Sequence, residues 1–480
     1  MTATVRKRRI LALIPLTVLI VLLALDISVF GADSILGASQ VTLLVAAGVC
    51  IAISAWAYKI PWKTFEKAIA GNISDVSTAI LILLLIGAVS GTWTLSGIVP
   101  TLICYGLKVI SPKVFLLTAC LLCAIVSLLI GSSWTTIATV GVALLGIGKA
   151  EGFADALTAG AIISGAYFGD KISPLSDTTV LASSINKVDL FAHIRYMLLS
   201  TIPSMTITLV IFTVIGLCHP VADQGQMLEY SEVLHAHFHI TPWLLVVPVL
   251  TGVMIWRKMP ALVVLALSTL TAAVAALIFQ PDLLASVGAG VTDGNRARLI
   301  FTGVVESIFN KVSIETGSAA VNQLVSPRGM VGMLNTVFLI LCSMTFGGCM
   351  RASGMIADLA GILTPLTRTR TGLVGTTVVT GTALNGIVSD QYLSIILTSN
   401  LYRDRFEQEG YEMRLLSRSV EDSSTATSPL YPWSSCGMTQ AAILSVPTLA
   451  YAPFCFFNLL SPLMSIIIAA IGWKIVRHKP

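Results

Sequence analysis

Residues Gly160 to Ser184 read GAIISGAYFGDKISPLSDTTVLASS. The stretch opens as a small-residue-rich apolar helix, Gly160 to Ala166. Within a few residues it becomes Asp170-Lys171-Ile172-Ser173-Pro174-Leu175-Ser176-Asp177-Thr178-Thr179. Two carboxylates, an ammonium, four hydroxyls and a proline interrupt an oily chain. Inside a bilayer, irregular polar backbone is tolerated only where protein covers it or where it lines a watery cavity. Ionisable residues at that depth are costly enough to mark function. The segment therefore reads as a broken helix that holds an ion.

The surrounding composition requires a membrane. Of 480 residues, 55% are hydrophobic and 11% are charged, with mean hydropathy +0.88. A soluble domain carries roughly 25% charged residues, more than twice this share. The net charge of +5 does not indicate a nucleic-acid partner, because many basic residues flank apolar runs. Nine cysteines are scattered, mostly inside those runs, and Cys120 and Cys123 sit in LLTACLLCAIVSLL as small apolar side chains. No cofactor motif is present. P-loop, Rossmann and zinc-protease signatures are missing. The intramembrane-protease motifs fail too, since Tyr167-Phe168-Gly169-Asp170 replaces Gly-x-Gly-Asp and no Gly-x-Ser-Gly occurs. The chain does not read as an enzyme.

The hydropathy pattern predicts an all-α polytopic membrane protein with about 10–12 transmembrane helices, re-entrant or broken helices, and two inverted repeats. Residues 1–72 supply N-terminal transmembrane helices, 73–218 the first repeat, 219–330 connecting loops and helices, and 331–480 the second repeat. Arg6-Lys7-Arg8-Arg9 precedes a span to Phe30, and Lys59, Lys63 and Lys67 follow a span from about Val41 to Tyr58. Both clusters are placed on the cytoplasmic side, and Lys474, Arg477 and Lys479 put the C-terminus there as well. Spans are also expected at about Val114–Ile130, Leu198–Leu217, Pro242–Trp256, Ala261–Phe279, Met438–Ala450 and Phe454–Trp473. His219 to His239 reads as an outside loop, in which His235, His237 and His239 form either an incidental or a metal- or pH-sensing run. Gln280 to Met330 reads as a mixed connection. Arg403, Asp404, Arg405, Arg414 and Arg418 read as a cytoplasmic loop.

Three short matches recur in order at nearly one offset. Ser96-Gly97 pairs with Ser353-Gly354, Gly131 with Gly386, and Ser173-Pro174-Leu175 with Ser428-Pro429-Leu430. Transporters are commonly built from two such halves, whose interrupted helices meet at a mid-membrane site. The second polar break, Glu421 to Ser435, would thereby lie beside the first. The candidate ion- or proton-binding set is Asp170, Asp177, Asp390, Glu421 and Asp422 with Ser133, Thr136, Ser173, Ser176, Thr178, Asn385, Thr427 and Ser428 as neutral ligands. Na+ is assigned to Asp177 and Asp390. Hard oxygen ligands suit small hard cations, and one carboxylate that takes either cation or proton yields exchange directly. Helix capping is the competing role for Asp177 and Asp390, ion pairing or a helix end for Asp170, and a solvated helix start for Glu421 and Asp422.

GSSWTTIATVGVALLGIG, AGAIISGAYFGDKISPLSDTT, SDQYLSIIL and EDSSTATSPLYPWSSCG resemble the NhaC family of sodium/proton antiporters. The resemblance runs from about Leu81 to Leu463. It implies a multi-pass inner-membrane secondary antiporter that exchanges Na+ for H+, with lipid, Na+ and H+ as partners. It also implies a wider family in which malate and lactate are exchanged. Ser132 and Thr135 depart from the GTSWGT that many members carry. A Na+- or H+-coupled carrier of a small carboxylate or amino acid is the alternative, and homodimer formation stays open.

Overall fold

The computed structural model describes residues 3–30, 37–109, 111–219, 224–257, 259–318, 321–322, 325–363, 369–475 and 477. Among them, regular structure is helical, apart from a single antiparallel bridge between Tyr411 and Arg477. Eight helices are long and apolar enough to cross a membrane, or ten if each of two bent pairs is one crossing. That range meets the lower bound of the sequence expectation. The count stays low because several elements are interrupted.

Helix Ala38–Tyr58 packs on Leu334–Ala352, and Ala3–Phe30 packs on Ala38–Tyr58 and on Met355–Leu363. Trp62–Asp75 runs into Ser77–Leu95 with a break only at Val76. From there, the same succession of elements occurs twice. Ser77–Leu95 ends at Gly97 in a left-handed turn and a short helix, Ile98–Val109, follows. Leu334–Ala352 ends at Gly354 in the same way, followed by Met355–Leu363. A hairpin comes next in each half: Phe115–Ile130 with Ser133–Ala150, and Arg370–Val388 with Gln391–Gln408. A broken helix then leads to a long final one, Leu190–Cys218 or Phe456–Ile471.

The hairpin tips correct the sequence alignment of the halves. At Gly131, φ is 75°, and the following Ser132 caps the return arm by accepting from the Thr135 N–H at 3.3 Å. The equivalent pair is Ser389, at φ 61°, and Asp390, whose Oδ1 accepts from the Leu393 N–H at 3.0 Å. Gly131 thus corresponds to Ser389 rather than Gly386. A left-handed residue and an oxygen cap are what such a tip needs, whereas letter identity is not.

Other expectations shift for physical reasons. Residues 224–237 of the supposed outside loop form a helix, Gln224–His237, where His235 and His237 each lie against their own helix carbonyls, of Ser231 and Val233. His239 stacks near Phe279, so the three rings diverge. The connection after Gln280 folds into a helical hairpin, Pro281–Ala289 with Arg296–Phe309. Gly288 and Gly303 lie so near the opposite backbone that a Cβ has no room. The expected span Met438–Ala450 breaks at Ser445 and Pro447. Arg418, expected in an exposed loop, lies in Met413–Val420 and is fully buried.

Helices Phe115–Ile130 and Asp155–Ile172 form the tightest pair in the first half. Gly165 and Gly169 allow it, because a Cβ on either would strike the backbone of Cys120 or Ala124. Small residues drive close helix approach in membranes, where apolar burial gives no preference over lipid. This contact fixes the end of Asp155–Ile172, and with it Asp170 and Lys171.

Candidate functional site

Both broken helices part at a Ser-Pro pair. Asp155–Ile172 stops at Ser173, four residues run to Ser176, and the helix resumes at Asp177. Proline has no N–H to offer and its ring clashes with the preceding turn. Ser173 covers part of the loss: its hydroxyl donates to the Leu128 carbonyl at 2.8 Å and accepts from the Leu175 N–H at 3.2 Å. In the second half, Met413–Val420 passes into a π-turn, Glu421–Thr425, then a 3-10 turn, Ser428–Leu430, before Ser435–Leu444. The Ser434 hydroxyl caps that last helix at the Gly437 N–H, 3.0 Å away. Isolated π-turns recur at functional positions in helices.

The first break and the two hairpin tips converge on a cavity of about 580 Å³. Asp75, Asp170 and Asp177 line it with Ser132, Ser133, Thr135, Ser176, Thr178, Gln391 and Tyr392, and no basic side chain lies in its wall among the described residues. Asp170 is buried, and its Oδ2 accepts from the Ser133 hydroxyl at 2.7 Å and the Ser133 N–H at 3.2 Å. Asp177 is exposed at the cavity mouth, at the first turn of its helix, where the dipole favours a negative charge. Ser176 and Thr178 share a hydrogen bond at 3.0 Å. Asp390 is buried and combines its cap with a bond from the Ser435 hydroxyl at 3.2 Å. Tyr392 stands within the electrostatic field of Asp177, Asp170 and Asp390.

Behind Asp170 and Thr178 lies a drier group. Lys171, Arg418, Glu421 and Asp422 all have 0% exposure. Lys171 pairs with Asp422 Oδ1, which also accepts from Ser200 at 2.9 Å and Ser461 at 3.2 Å. Arg418 approaches Asp422 Oδ2 at 3.8 Å and places its guanidinium over Tyr196 at 4.8 Å. His193 bonds Ser417 at 2.8 Å on the outer flank. Glu421 differs from Lys171 and Asp422, for neither of its carboxylate oxygens has a hydrogen-bond partner, and the Arg418 guanidinium likewise has none. The groups near enough to act on it are Thr425, Lys171, Asp170 and Thr178. A buried, unpaired ionised carboxylate is very costly, so a proton or a cation at Glu421 is the economical state.

The remaining candidates separate into two groups. Asn385 donates to the Ser424 carbonyl at 2.7 Å and the Thr427 hydroxyl at 2.9 Å, leaving its Oδ1 without a partner near the π-turn. Ser428 joins the two repeat-two breaks through Gln391 at 3.2 Å. The Thr136 hydroxyl donates to the Ser132 carbonyl at 2.9 Å, so it supports the tip. The sequence reading missed Arg418, Ser200, Ser461 and Asp75. The Arg418–Asp422 spacing of four residues was a usable signal. Ser200 and Ser461 carried none beyond a hydroxyl on an apolar span.

A second cavity of about 350 Å³ lies at the other end of helix Ser77–Leu95, lined by Ser90, Thr94, Lys149, Asp155, Lys311 and Arg328 among others. Thr78 of the first cavity and Thr94 of the second are about 24 Å apart along that helix, at 1.5 Å per residue. Among the described residues, no lining side chain is shared.

Fold and site together define a multi-pass helical membrane protein with a buried carboxylate cluster between two broken helices. The chain belongs to the Na+/H+ antiporter family, which it matches over residues 2–185 and 165–473. It is 35% identical over 414 residues to the Na+/H+ antiporter NhaC of Alkalihalophilus pseudofirmus, covering 86% of each chain. It is 36% identical to the malate-2H+/Na+-lactate antiporter of Bacillus subtilis, over 86% of this chain and 85% of that one. The arginine/ornithine antiporter ArcD of Halobacterium salinarum is 31% identical over 98% of this chain and 93% of its own.

Proposed function

We propose that the protein exchanges Na+ for H+ across the cytoplasmic membrane by alternating access, with both termini on the cytoplasmic side and the two repeats inserted in opposite orientations. The observation that carries the site assignment is Glu421, buried in the second break with no hydrogen-bond partner and within reach of Asp170 and Thr178 of the first. Glu421 and Asp170 take the proton or the cation. Thr178, Thr425 and the Asn385 Oδ1 complete an oxygen shell of the kind hard cations prefer. Asp177, exposed on the cavity wall, attracts cations, and Asp390 holds the second hairpin tip. Two cavities at opposite ends of one helix, with no common lining, suit a site reached from one side at a time.

Proton movement in proteoliposomes on addition of Na+, Li+ or K+ at several pH values tests this reading. Na+-dependent proton flux in the wild type and none in Glu421→Gln supports it. Absence of any cation response, with exchange only on addition of malate, lactate or an amino acid, overturns it in favour of a coupled organic-substrate carrier. A specific observation favours that second reading. The 580 Å³ cavity falls within the roughly 300–1,000 Å³ of small-molecule sites and exceeds what one Na+ fills.

A further inference from the structure

A third cavity, of about 720 Å³, opens sideways between helices Ile98–Val109, Phe115–Ile130, Val142–Ala150 and Val246–Trp256. No charged side chain lines it among the described residues, and its walls are mostly aliphatic with Trp93 and Tyr105. Its rim includes Leu122 and Leu129, exposed on a membrane-spanning helix, and Gly252, also exposed. We propose that the acyl chain of a bilayer lipid occupies this cavity. Water does not stably fill an apolar void of this kind, and the fluid at its open rim is hydrocarbon. Gly252 leaves the space open, since a Cβ there would meet nothing within 4 Å.

The position gives the chain a partner inside the protein. Thr139, Val140, Ala143, Leu144 and Ile147 form the inner wall, on the return arm of the first hairpin and across its π-turn Ile137–Gly141. Ile130 lines both this cavity and the carboxylate-lined one. A bound acyl chain therefore packs directly beneath the tip that presents Ser133 to Asp170. This inference is independent of which ion or substrate is exchanged.

The test is photo-cross-linking of the full-length protein in vesicles of phosphatidylcholine carrying a diazirine within one acyl chain, with adducts mapped by mass spectrometry. Ile125 is exposed on helix Phe115–Ile130, outside the cavity lining, and is the reference for bilayer contact. Adducts at Val126, Ala143 and Leu144 are expected in the wild type. They are expected to be lost in Gly252→Trp and in Ala143→Leu, two fillings from opposite walls, while the Ile125 adducts persist. Cavity adducts that are absent from the wild type, or unchanged in a filled variant that keeps its Ile125 adducts, overturn the proposal.

Discussion

Lys171 and Asp422, 251 residues apart, form an ion pair that joins the first broken helix to the second with both side chains fully withdrawn from solvent. Arg418 adds a second cation to the same carboxylate. Removing Asp422 therefore strands two buried cations, whereas removing Lys171 leaves Asp422 with Arg418, Ser200 and Ser461. Breaking a buried pair from one side costs about 3–5 kcal/mol. Asp422→Ala should fall in or above that range, and Lys171→Ala below it. Thermal unfolding of the detergent-solubilised proteins checks the order, and a Lys171→Ala variant less stable than Asp422→Ala would contradict the pairing.

Glu421 and Asp177 should respond differently to loss of charge. Glu421 is sealed and unpaired, while Asp177 faces the cavity mouth. Glu421→Gln should abolish Na+-driven proton movement without a large loss of stability, because no hydrogen bond is removed. Asp177→Asn should only raise the apparent KM for Na+, and that effect should shrink at high ionic strength, where exposed charges are screened over about 8–10 Å. Fluxes for the two variants at low and high choline chloride separate the roles.

Competition for one carboxylate also sets the sign of the pH response. Protons occupy Glu421 as pH falls, so the apparent KM for Na+ should rise on acidification and fall on alkalinisation. Where the proton dominates, the slope is about tenfold per pH unit for one proton released per Na+ bound. A KM that is flat across neutral to alkaline pH would remove Glu421 as a shared site.

The helix pair that positions Asp170 depends on absent side chains. A Cβ at Gly165 would meet the Cys120 carbonyl, and one at Gly169 the Ala124 carbonyl. Backbone cannot yield as a flexible side chain does, so Gly165→Ala should cost about 1–3 kcal/mol as an overpacked substitution. Gly165→Leu should not yield a monodisperse protein. Size-exclusion profiles and melting temperatures of the two variants measure this.

Both polar breaks were legible in the sequence, because proline after serine in an apolar run can neither continue a helix nor leave its carbonyls unserved. The spans at Val41–Tyr58, Val114–Ile130 and Ala261–Phe279 were legible from length and hydropathy alone. Arg418 was not, because a charged residue among other polar residues looks solvated. Only its tertiary neighbours, Tyr196 and the pair Lys171–Asp422, reveal burial. Gln224–His237 was hidden for the opposite reason, since a polar helix has no apolar periodicity to announce it. The same limit applied to Glu421: its composition suggested a ligand, but its lack of any partner is a property of packing.

The equivalence of Gly131 and Ser389 supplies the last prediction, since two residues in one backbone conformation should respond oppositely to substitution. Both sit at positive φ, 75° and 61°, between a span and a capped return arm. Gly131 has no Cβ, and one placed there would press on the backbone of Leu175 inside the first break. Gly131→Ala should therefore incur the roughly 1–2 kcal/mol penalty of left-handed backbone and also displace the Ser173–Ser176 segment, slowing exchange. Ser389 already bears that penalty, and its buried hydroxyl has no partner. Its carbonyl, which accepts from the Ser435 N–H at 2.8 Å, is kept in any substitution. Ser389→Gly relieves the backbone at a cost of about 0.5–1 kcal/mol in chain entropy, so it should be neutral or stabilising by under about 1 kcal/mol. Melting temperatures and exchange rates of the two variants, measured side by side, decide whether the hairpin tips are equivalent. Destabilisation by Ser389→Gly as large as that by Gly131→Ala would show that they are not.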